Sequence, residues 1–441
     1  MTGPSPRLES TDGACGSSFC ARTFTRFGRR AGGVSCPGRG GYAACSTGST
    51  SSTFAGAIRG RRRSSRRGTC ATRSAGGCGV CSHGDGPACL EDSVTATIAP
   101  EAHRRFVREV LTAAGAAPGD ADAVADGLVW ADLRARPAQG LLRLPILARR
   151  LARKLIRSPA AMAWTAVAPA AHCLDAAYGF GHVAGRLGMA RALELAGAEG
   201  IGLVAVRRSL HYGAAGYYCA LAADAGYVGF TCSNAFPKVA PFGGTRAVLG
   251  TNPLAFGCPT PSGGPLLVDL ATSTLAGSDV RTIHGAGGRL PAGSALDAAG
   301  KPTDDPEAAA GGCLLPAAGP KGFGLGLMVE ILSGVLAGAG VGRDVGSLFS
   351  TWDRSIDAGH VFVAVDPERF MPRQTFLQRV GGLLDWVRTA PPVEGGDPIR
   401  YPGEIRACYA AAYGRDGIPR DEAMERVIDE LTAEFGVRRP W

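Results

Sequence analysis

Hydrophobic residues follow a helical period from about residue 100 and form short unbroken runs further along the chain. After Pro100, four apolar side chains between Phe106 and Leu111 fall on one helical face, and helical patterns also cover residues 120–133 and 141–155. Apolar runs then alternate with Ala-, Gly- and Leu-rich helical stretches. These runs cover residues 202–206, 228–232, 266–270 and 361–365. The alternation predicts an α/β fold with helices packed on a sheet.

The first 92 residues differ in composition from the rest of the chain. Residues 1–92 are rich in Gly, Ser, Arg and Cys, show no sustained period, and contain 13 Arg, no Lys and 5 acidic residues. We therefore expect a disordered leader at 1–92 and a folded body at 93–441. Within the body we expect an N-terminal helical segment at 93–160, an α/β core at 161–370 and a C-terminal helical segment at 371–441, which ends in an amphipathic helix.

Charge and cysteine content exclude several classes of protein. The net charge of the chain is +9, but residues 1–92 carry +8 of it, so the nearly neutral body gives no support for nucleic-acid binding. Eight of the 14 cysteines lie in the leader and the other six are scattered, which does not form a disulfide framework. No run of 18 uncharged apolar residues and no signal-peptide core occur. These features predict a cytoplasmic protein without a membrane segment.

One group of potential metal ligands lies in the leader: Cys78, Cys81, His83 and Cys89. Thiolates and imidazole suit Zn²⁺, but His83 follows Cys81 too closely and Cys89 has no cysteine three residues away. We interpret the group as an effect of composition and expect no metal site. We likewise interpret the arginine block at residues 59–67 as a solvated tail rather than a transit peptide or a tether to an anionic surface.

A glycine-rich segment at residues 179–185 precedes an Ala-rich helical run and resembles a nucleotide-binding turn at first sight. Its spacing is one residue longer than the G-x-G-x-x-G pattern. No acidic residue ends an apolar strand about twenty residues further on, where a ribose hydroxyl would need one. We therefore expect these glycines to allow close packing of a helix rather than to form a Rossmann site.

His211 is the first candidate catalytic residue. It follows the apolar run that ends at Val206, at the point where an Ala-rich helix begins. Side chains at strand ends point into the crevice where α/β proteins bind ligands, and an imidazole there can titrate near neutral pH. The sequence therefore predicts an acid/base group at this strand end.

Further segments add groups that bind anions or expose backbone donors. Turn-rich loops lie at residues 241–244 and 250–257, and Asp269 follows an apolar strand together with two hydroxyl residues. Lys321 opens a helix of about sixteen residues, so a cation and unpaired backbone N–H groups converge there. That combination attracts phosphate or carboxylate groups.

These segments form an ordered set of motifs that resembles the malate/L-lactate dehydrogenase family, which includes ureidoglycolate and L-sulfolactate dehydrogenases. The similarity runs from about Val94 to the C-terminus. The motifs are Ala131-Asp132-Leu133-Arg134, Leu142-Arg143-Leu144-Pro145, the stretch around His211, residues 241–244, Asn252-Pro253, residues 269–273, Pro320-Lys321-Gly322 and Tyr401-Pro402-Gly403-Glu404.

The resemblance implies the non-Rossmann α/β fold of that family, with flanking helical segments after the leader. It implies an oxidoreductase that transfers a hydride between NAD or NADP and a small 2-hydroxy or 2-keto acid. It also implies a homodimer whose active site lies near the subunit interface. The acid could be of malate, lactate, ureidoglycolate or sulfolactate type.

The resemblance assigns roles to individual residues. His211 would be the acid/base group and Arg143 would clamp the substrate carboxylate, with Gln139 in the same catalytic region. The implied cofactor contacts are Asn234, Asp269, Leu270, Ala271, Lys321, Gly403 and Glu404. A hydroxy-acid dehydrogenase needs a proton acceptor for the hydroxyl and a planar cation for the carboxylate, in agreement with these roles. Alternatively, Arg143 is a surface charge on an amphipathic helix.

The chain departs from the family pattern at two positions, of which the first is a loop. Members commonly carry Asp-Ser-His-Gly where this sequence has Pro137-Ala138-Gln139-Gly140, and Ala235 stands where some relatives place a cofactor-binding Ser. Gln139 can hydrogen-bond a carbonyl but cannot transfer a proton near pH 7. Either His211 acts alone on a different substrate, or the enzyme is slow or inactive.

Three other interpretations stay open beside the dehydrogenase. The first is a cyclic imine reductase of the same fold that acts on a ketimine carboxylate. The second is a catalytically weakened ligand-binding relative, which the Gln139 substitution favours. The third, and the least supported, is a protein that binds nucleic acid through its arginine-rich tail.

Overall fold

The computed structural model describes residues 96–441. The predicted leader, its cysteine and histidine group at residues 78–89 and its arginine block lie outside the described residues. Within residues 96–441, helices pack on a seven-stranded sheet, which confirms the predicted α/β class.

The helices of the described region begin with three that precede the main sheet. They are α1 (Pro100–Ala113), α2 (Pro118–Asp132), α3 (Leu144–Ala152), α4 (Gly181–Glu199), α5 (Ala215–Asp224), α6 (Gly277–Gly285), α7 (Pro306–Gly311), α8 (Pro320–Glu330), α9 (Arg373–Arg388), α10 (Glu404–Asp416) and α11 (Glu422–Phe435). A π-helical turn, Ile331–Leu336, continues α8. Two 3₁₀ turns, Pro137–Gln139 and Leu141–Arg143, lie between α2 and α3.

The strands of the described region form one large sheet and two small ones. They are β1 (Thr97–Ile98), β2 (Ala163–Ala168), β3 (Ala171–Asp175), β4 (Ile201–Ser209), β5 (Val228–Ser233), β6 (Leu254–Cys258), β7 (Leu266–Leu270), β8 (Ala295–Leu296), β9 (Pro302–Thr303), β10 (Cys313–Leu314), β11 (Ala358–Val365) and β12 (Ile418–Pro419). The large sheet has the order β2-β3-β4-β11-β5-β6-β7, with β3 and β4 parallel and the other neighbours antiparallel.

The central strand β11 fixes the direction of its neighbours. Val361 of β11 pairs with Ala205 of β4 and with Cys232 of β5, and both pairings are antiparallel. Strands β4, β5 and β7 therefore run in the same direction, so their carboxyl ends meet at one edge of the sheet. The amino end of β11 lies at that same edge, and ligands bind at this kind of edge in α/β proteins.

The four predicted apolar runs are confirmed as parts of β4, β5, β7 and β11. The prediction of a turn-rich loop across residues 250–257 was wrong in its second half, where β6 begins at Leu254. A glycine weakens the strand pattern there, yet Gly257 suits a crowded position, because a Cβ on it would lie 2.9 Å from the carbonyl oxygen of Cys219. The pattern also missed β2, whose residues are exposed and Ala-rich.

The glycines of the 179–188 region lie where α4 meets the sheet and α5. A Cβ on Gly185 would lie 2.5 Å from the Tyr218 ring, and one on Gly188 would lie 2.6 Å from the Phe362 ring. Gly181 begins α4 against the backbone of Leu210 and His211. These close approaches agree with the predicted packing role and bring α4 directly behind the His211 loop.

A helical layer closes over one end of the sheet. Phe106 of α1, Leu128 of α2 and Ile428 of α11 belong to one buried cluster, so the last helix of the chain returns to the first. Each such side chain stabilises the fold by about 1.5–3 kcal/mol through burial. None of the helices in residues 96–441 is long and apolar enough to cross a membrane.

Candidate active site

A cavity of about 170 Å³ lies at the sheet edge where β4, β5 and β7 end. Its walls come from the turns after α2, the loops that follow these three strands, the start of α6 and the segment before β11. The predicted site residues that line it are Gln139, Arg143, His211, Asn234, Asp269, Leu270 and Ala271. Lys321, Gly403 and Glu404 are absent from this lining, among the described residues.

His211 lies two residues past the end of β4, on the loop that leads into α5. Its Nδ1 accepts a hydrogen bond from the backbone N–H of Gly213 at 3.2 Å. Burial lowers the pKa of His211 well below 6.5, and the charge of Arg143 lowers that pKa further. The free site therefore favours a neutral imidazole, and acceptance at Nδ1 places the ring proton on Nε2.

His360 joins the ends of β4 and β5 next to the His211 loop. Its Nδ1 lies 2.8 Å from the Ser233 hydroxyl at the end of β5, and its Nε2 lies 2.9 Å from the Ser209 hydroxyl at the end of β4. The Tyr212 ring stacks on the His360 ring at 4.4 Å. No sequence motif marks His360, because its role depends on two strands that are distant along the chain.

Arg143 ends the second 3₁₀ turn and is only 5% exposed. Its Nη2 donates to the carbonyl oxygen of Ala138 at 2.8 Å, while its Nε is buried without an acceptor among the described residues. Burial lowers the pKa of Arg143 to about 9, and the nearby charge of Arg281 contributes. The alternative that Arg143 is a surface charge on a helix was therefore wrong.

Gln139 occupies the 3₁₀ turn before Arg143 and is half-buried. Its Oε1 has no hydrogen-bond partner among the described residues. A buried amide oxygen without a partner costs about 1–3 kcal/mol, so this atom is ready to accept a bond from a ligand.

The carboxylate of Asp269 already has two partners within the protein. It forms an ion pair with Arg136 and accepts a hydrogen bond from the backbone N–H of Gly216 at 3.1 Å. Gly216 lies in the first turn of α5, where the helix dipole favours negative charge. Leu270, the next residue, is 41% exposed and Ala271 is half-buried. Arg136 was missed in the sequence, because its partner lies far along the chain.

Asn234 belongs to a buried network that joins four segments. Its Oδ1 accepts from the backbone N–H of Gly359, and its Nδ2 donates to Glu330 Oε1 at 3.2 Å. Asn252 donates from Nδ2 to the other Glu330 oxygen at 2.8 Å. Glu330 also accepts from the backbone N–H of Gly342 at 2.8 Å. The sequence shows this glutamate only as a charge inside the apolar run of α8, which is itself a signal of a satisfied buried carboxylate.

The three predicted contacts outside the lining have different surroundings. Lys321 is exposed in the first turn of α8. Gly403 adopts φ +94° and approaches β7 so closely that a Cβ would lie 2.9 Å from the Leu267 nitrogen. Glu404 begins α10, where it accepts from Arg388 Nη2 at 2.9 Å and from the Tyr401 N–H at 3.1 Å. Their roles toward a cofactor stay predictions.

The sequence model of malate/L-lactate dehydrogenases matches residues 98–429. The chain belongs to the malate/L-lactate dehydrogenase family. The match includes the turns after α2, the His211 loop and the end of β7, so every wall of the cavity lies inside it.

Relatives and solved structures agree with the family. L-Sulfolactate dehydrogenase of Methanocaldococcus jannaschii is 35% identical over 77% of this chain and 97% of its own length. Malate dehydrogenase of Pyrococcus abyssi is 36% identical over 76% of this chain and 93% of its own. The structure of the Methanocaldococcus jannaschii sulfolactate dehydrogenase has a TM-score of 0.72 at 34% identity and covers 78% of this chain and 98% of that one.

These findings confirm the predicted family, its α/β fold and the class of enzyme. Relatives that are 33% and 35% identical are named as NAD(+)- and NADP(+)-dependent dehydrogenases, and the chain is an NAD(P)-dependent oxidoreductase of the family. The relatives are named for hydroxy-acid dehydrogenation, which favours the dehydrogenase over the imine reductase that the sequence left open.

Proposed function

We propose that the cavity at the ends of β4, β5 and β7 is the site where this enzyme interconverts a 2-hydroxy acid and its 2-keto acid. The observation that carries the proposal is the buried guanidinium of Arg143, whose Nε has no acceptor within residues 96–441 and which shares the cavity with His211. A planar cation beside an imidazole supplies a carboxylate clamp and a proton-transfer group.

The residues at the end of β7 fit a nicotinamide cofactor. Leu270 and Ala271 offer an apolar surface and Asn234 lies on the facing loop, so these residues would hold the ring end of NAD or NADP. The cofactor, when bound, supplies or accepts the hydride. We propose Asp269, Lys321, Gly403 and Glu404 as further contacts, with Asp269 acting through Arg136 and α5, to which its carboxylate is already bonded.

Arg143 and His211 have linked roles in proton transfer. The charge of Arg143 contributes to the low pKa of His211 in the free enzyme. A substrate carboxylate bound to Arg143 offsets that charge, so substrate binding raises the pKa of His211 and favours its protonation. The imidazolium then donates a proton to the developing alkoxide of the 2-keto acid, and the reverse reaction returns it.

Gln139 takes the place of a residue that could transfer a proton. We propose that its amide orients the substrate instead, because its Oε1 is buried without a partner among the described residues. A bound hydroxyl would satisfy this oxygen, and the amide N–H₂ could donate to a carbonyl. The retention of His211, Arg143 and Asp269 in one cavity supports an adapted site over a decayed one.

We also propose a cytoplasmic homodimer. An apolar stripe on α8 and the π-helical turn supports it: Leu325, Leu327, Met328, Ile331, Val335 and Leu336 are between 40% and 60% exposed. A second copy would cover this stripe, since contiguous apolar patches of this kind mark interaction surfaces. Light scattering of the purified protein tests the mass, and Val335→Glu should shift it toward the monomer.

Steady-state kinetics tests the proposed reaction. The purified enzyme is assayed with NADH and NADPH against pyruvate, oxaloacetate and sulfopyruvate, and cofactor binding is followed by fluorescence titration. We expect turnover of at least one acid and saturable cofactor binding. Saturable binding without turnover of any 2-keto acid would favour a ligand-binding protein and overturn the proposed reaction.

A further inference from the structure

Four cationic side chains line the cavity, against one acidic residue among its described lining residues, Asp269. Two of the cations have partners in the protein. Arg136 forms the ion pair with Asp269. Lys238 donates from Nζ to the carbonyl oxygens of Ala309 at 3.2 Å and Ala310 at 2.9 Å, at the end of α7. The remaining two, Arg143 and Arg281, have no carboxylate within ion-pair distance in residues 96–441.

Arg143 and Arg281 meet at the ring of Phe349. The guanidinium carbon of Arg143 lies 5.3 Å from the ring centre, and that of Arg281 lies 4.6 Å from it. Both arginines line the cavity, but Arg143 is buried whereas Arg281 lies on α6 and is exposed, which places Arg281 toward the solvent side of the cavity. The acidic residue next to it along α6, Asp279, accepts from the Ala276 N–H at 2.9 Å and caps the helix.

Two like charges that share one ring repel each other and gain from a ligand with two negative groups. Burial lowers the pKa of Arg143, and the nearby charge of Arg281 lowers it further. A ligand with one carboxylate can offset only part of this charge. The depth difference between the two guanidiniums matches an acid whose anionic groups lie at its two ends.

We propose that Arg281 forms, with Arg143 and Phe349, a subsite for a second anionic group, so that the enzyme prefers 2-keto acids that carry a distal carboxylate or sulfonate. The inference rests on the proposed function. Arg143 holds the carboxylate next to the keto carbon, near His211, and Arg281 binds the distal group at the mouth. Arg281 is thereby a specificity-determining residue.

The test compares Arg281→Met and Arg281→Lys with the wild type on oxaloacetate, sulfopyruvate and pyruvate. Loss of a hydrogen bond to a charged group corresponds to about a 10- to 100-fold fall. We expect Arg281→Met to lower kcat/KM for oxaloacetate and sulfopyruvate by this factor and to change pyruvate by less than about threefold. Arg281→Lys should restore part of the loss. A fall on only one of the two dianions identifies whether the distal group is carboxylate or sulfonate.

Arg289→Met is the matched control, because Arg289 is 71% exposed, pairs with Asp304 and does not line the cavity. It should leave all three values unchanged. An equal fall on pyruvate and the dianions after Arg281→Met would overturn the subsite, since Arg281 would then act on the shared carboxylate. Unchanged kinetics would overturn it as well. Absence of wild-type turnover on every acid would instead overturn the proposed function and the subsite with it.

Discussion

The carboxylate of Asp132 accepts a hydrogen bond from the backbone N–H of Leu141 at 2.8 Å. Asp132 ends α2, and Leu141 begins the 3₁₀ turn that carries Arg143, so one buried bond joins the helix to the catalytic turn. Gly140 must be a glycine there, because a Cβ on it would lie 2.0 Å from Asp132 Oδ1. His103 Nε2 lies 3.3 Å from the same Asp132 oxygen that binds Leu141.

Replacement of Asp132 should therefore affect both stability and substrate binding. Asp132→Leu leaves the Leu141 N–H without an acceptor, which costs about 1–3 kcal/mol of unfolding free energy. It should also raise KM for the acid by a larger factor than it lowers kcat, because Arg143 loses its fixed position. Urea denaturation and steady-state kinetics measure the two effects. Asp132→Asn keeps an acceptor oxygen and should be milder in both; equal effects of the two variants would contradict this explanation.

The buried histidines predict loss of stability in acid. Burial lowers the pKa of His103 to about 4 and those of His182 and His360 to about 3. Between pH 6.5 and these values the unfolded chain binds protons that the folded protein does not, so stability falls as the pH falls. Each histidine contributes up to about 1.4 kcal/mol per pH unit in this window.

Asp132 acts in the opposite direction, because burial raises its pKa well above 3.8 and its protonation in the folded state offsets part of the loss. The pKa values of Asp224 and Asp357 are raised by burial as well, and the pKa of buried His211 is lowered like those of the other three histidines. We expect the four histidines to dominate, so that stability still falls below pH 6.5. Thermal unfolding between pH 8 and pH 5 measures this fall. A Tm that stays constant or rises over this interval would show that these imidazoles are charged in the folded protein.

His211→Gln tests the proton-transfer role directly. We expect kcat to fall by about 10²- to 10⁴-fold, the usual contribution of a positioned acid or base, with cofactor binding unchanged. Reduction of the 2-keto acid needs the protonated imidazole, so wild-type kcat/KM should decrease as the pH rises, and the variant should lose this dependence. His284→Gln, on the exposed face of α6, is the control. Equal rates for the wild type and His211→Gln would remove His211 from the mechanism.

The hydrophobic pattern of the sequence predicted the buried strands of this protein. The runs in β4, β5 and β11 are mainly apolar, because each of these strands lies inside the sheet. Strand β2 gives no such signal, since it lies at the sheet edge with every residue exposed. The spacing of apolar residues reflects which side chains are buried, so an exposed edge strand shows no apolar pattern.

Some residues of the candidate site could also be located from the sequence, and others could not. His211 and Asp269 stand at strand ends, and a strand end can be located from the sequence. Arg136 and Arg281 could not be found, because their positions depend on the packing of α2 and α6 against distant loops. Glu330 was visible as a charge in an apolar helix, but its partners Asn234 and Asn252 follow different strands.

Glu330 should accordingly tolerate little change. Its carboxylate accepts three hydrogen bonds, from two asparagine side chains and the Gly342 N–H. Glu330→Gln replaces one acceptor by an N–H₂ group that faces a donor, so we expect a loss of about 1–3 kcal/mol in unfolding free energy. Urea denaturation measures this loss. Glu422→Gln in α11, whose side chain is 86% exposed, is the control, and an equally small effect of both would contradict the network.

The last prediction concerns the loop that departs from the family pattern. The double change Ala138→Ser, Gln139→His restores the residues that members commonly carry. If Gln139 orients the substrate, this change should lower kcat/KM on the preferred acid, because the imidazole removes the amide oxygen that is buried without a partner in the described structure. If the site has instead decayed, the double variant should be faster than the wild type. We expect the decrease, since Arg143, His211 and Asp269 still line one cavity. Steady-state kinetics of both proteins on the same set of 2-keto acids decides between the two outcomes, and an increase on every acid would refute the adapted role of Gln139.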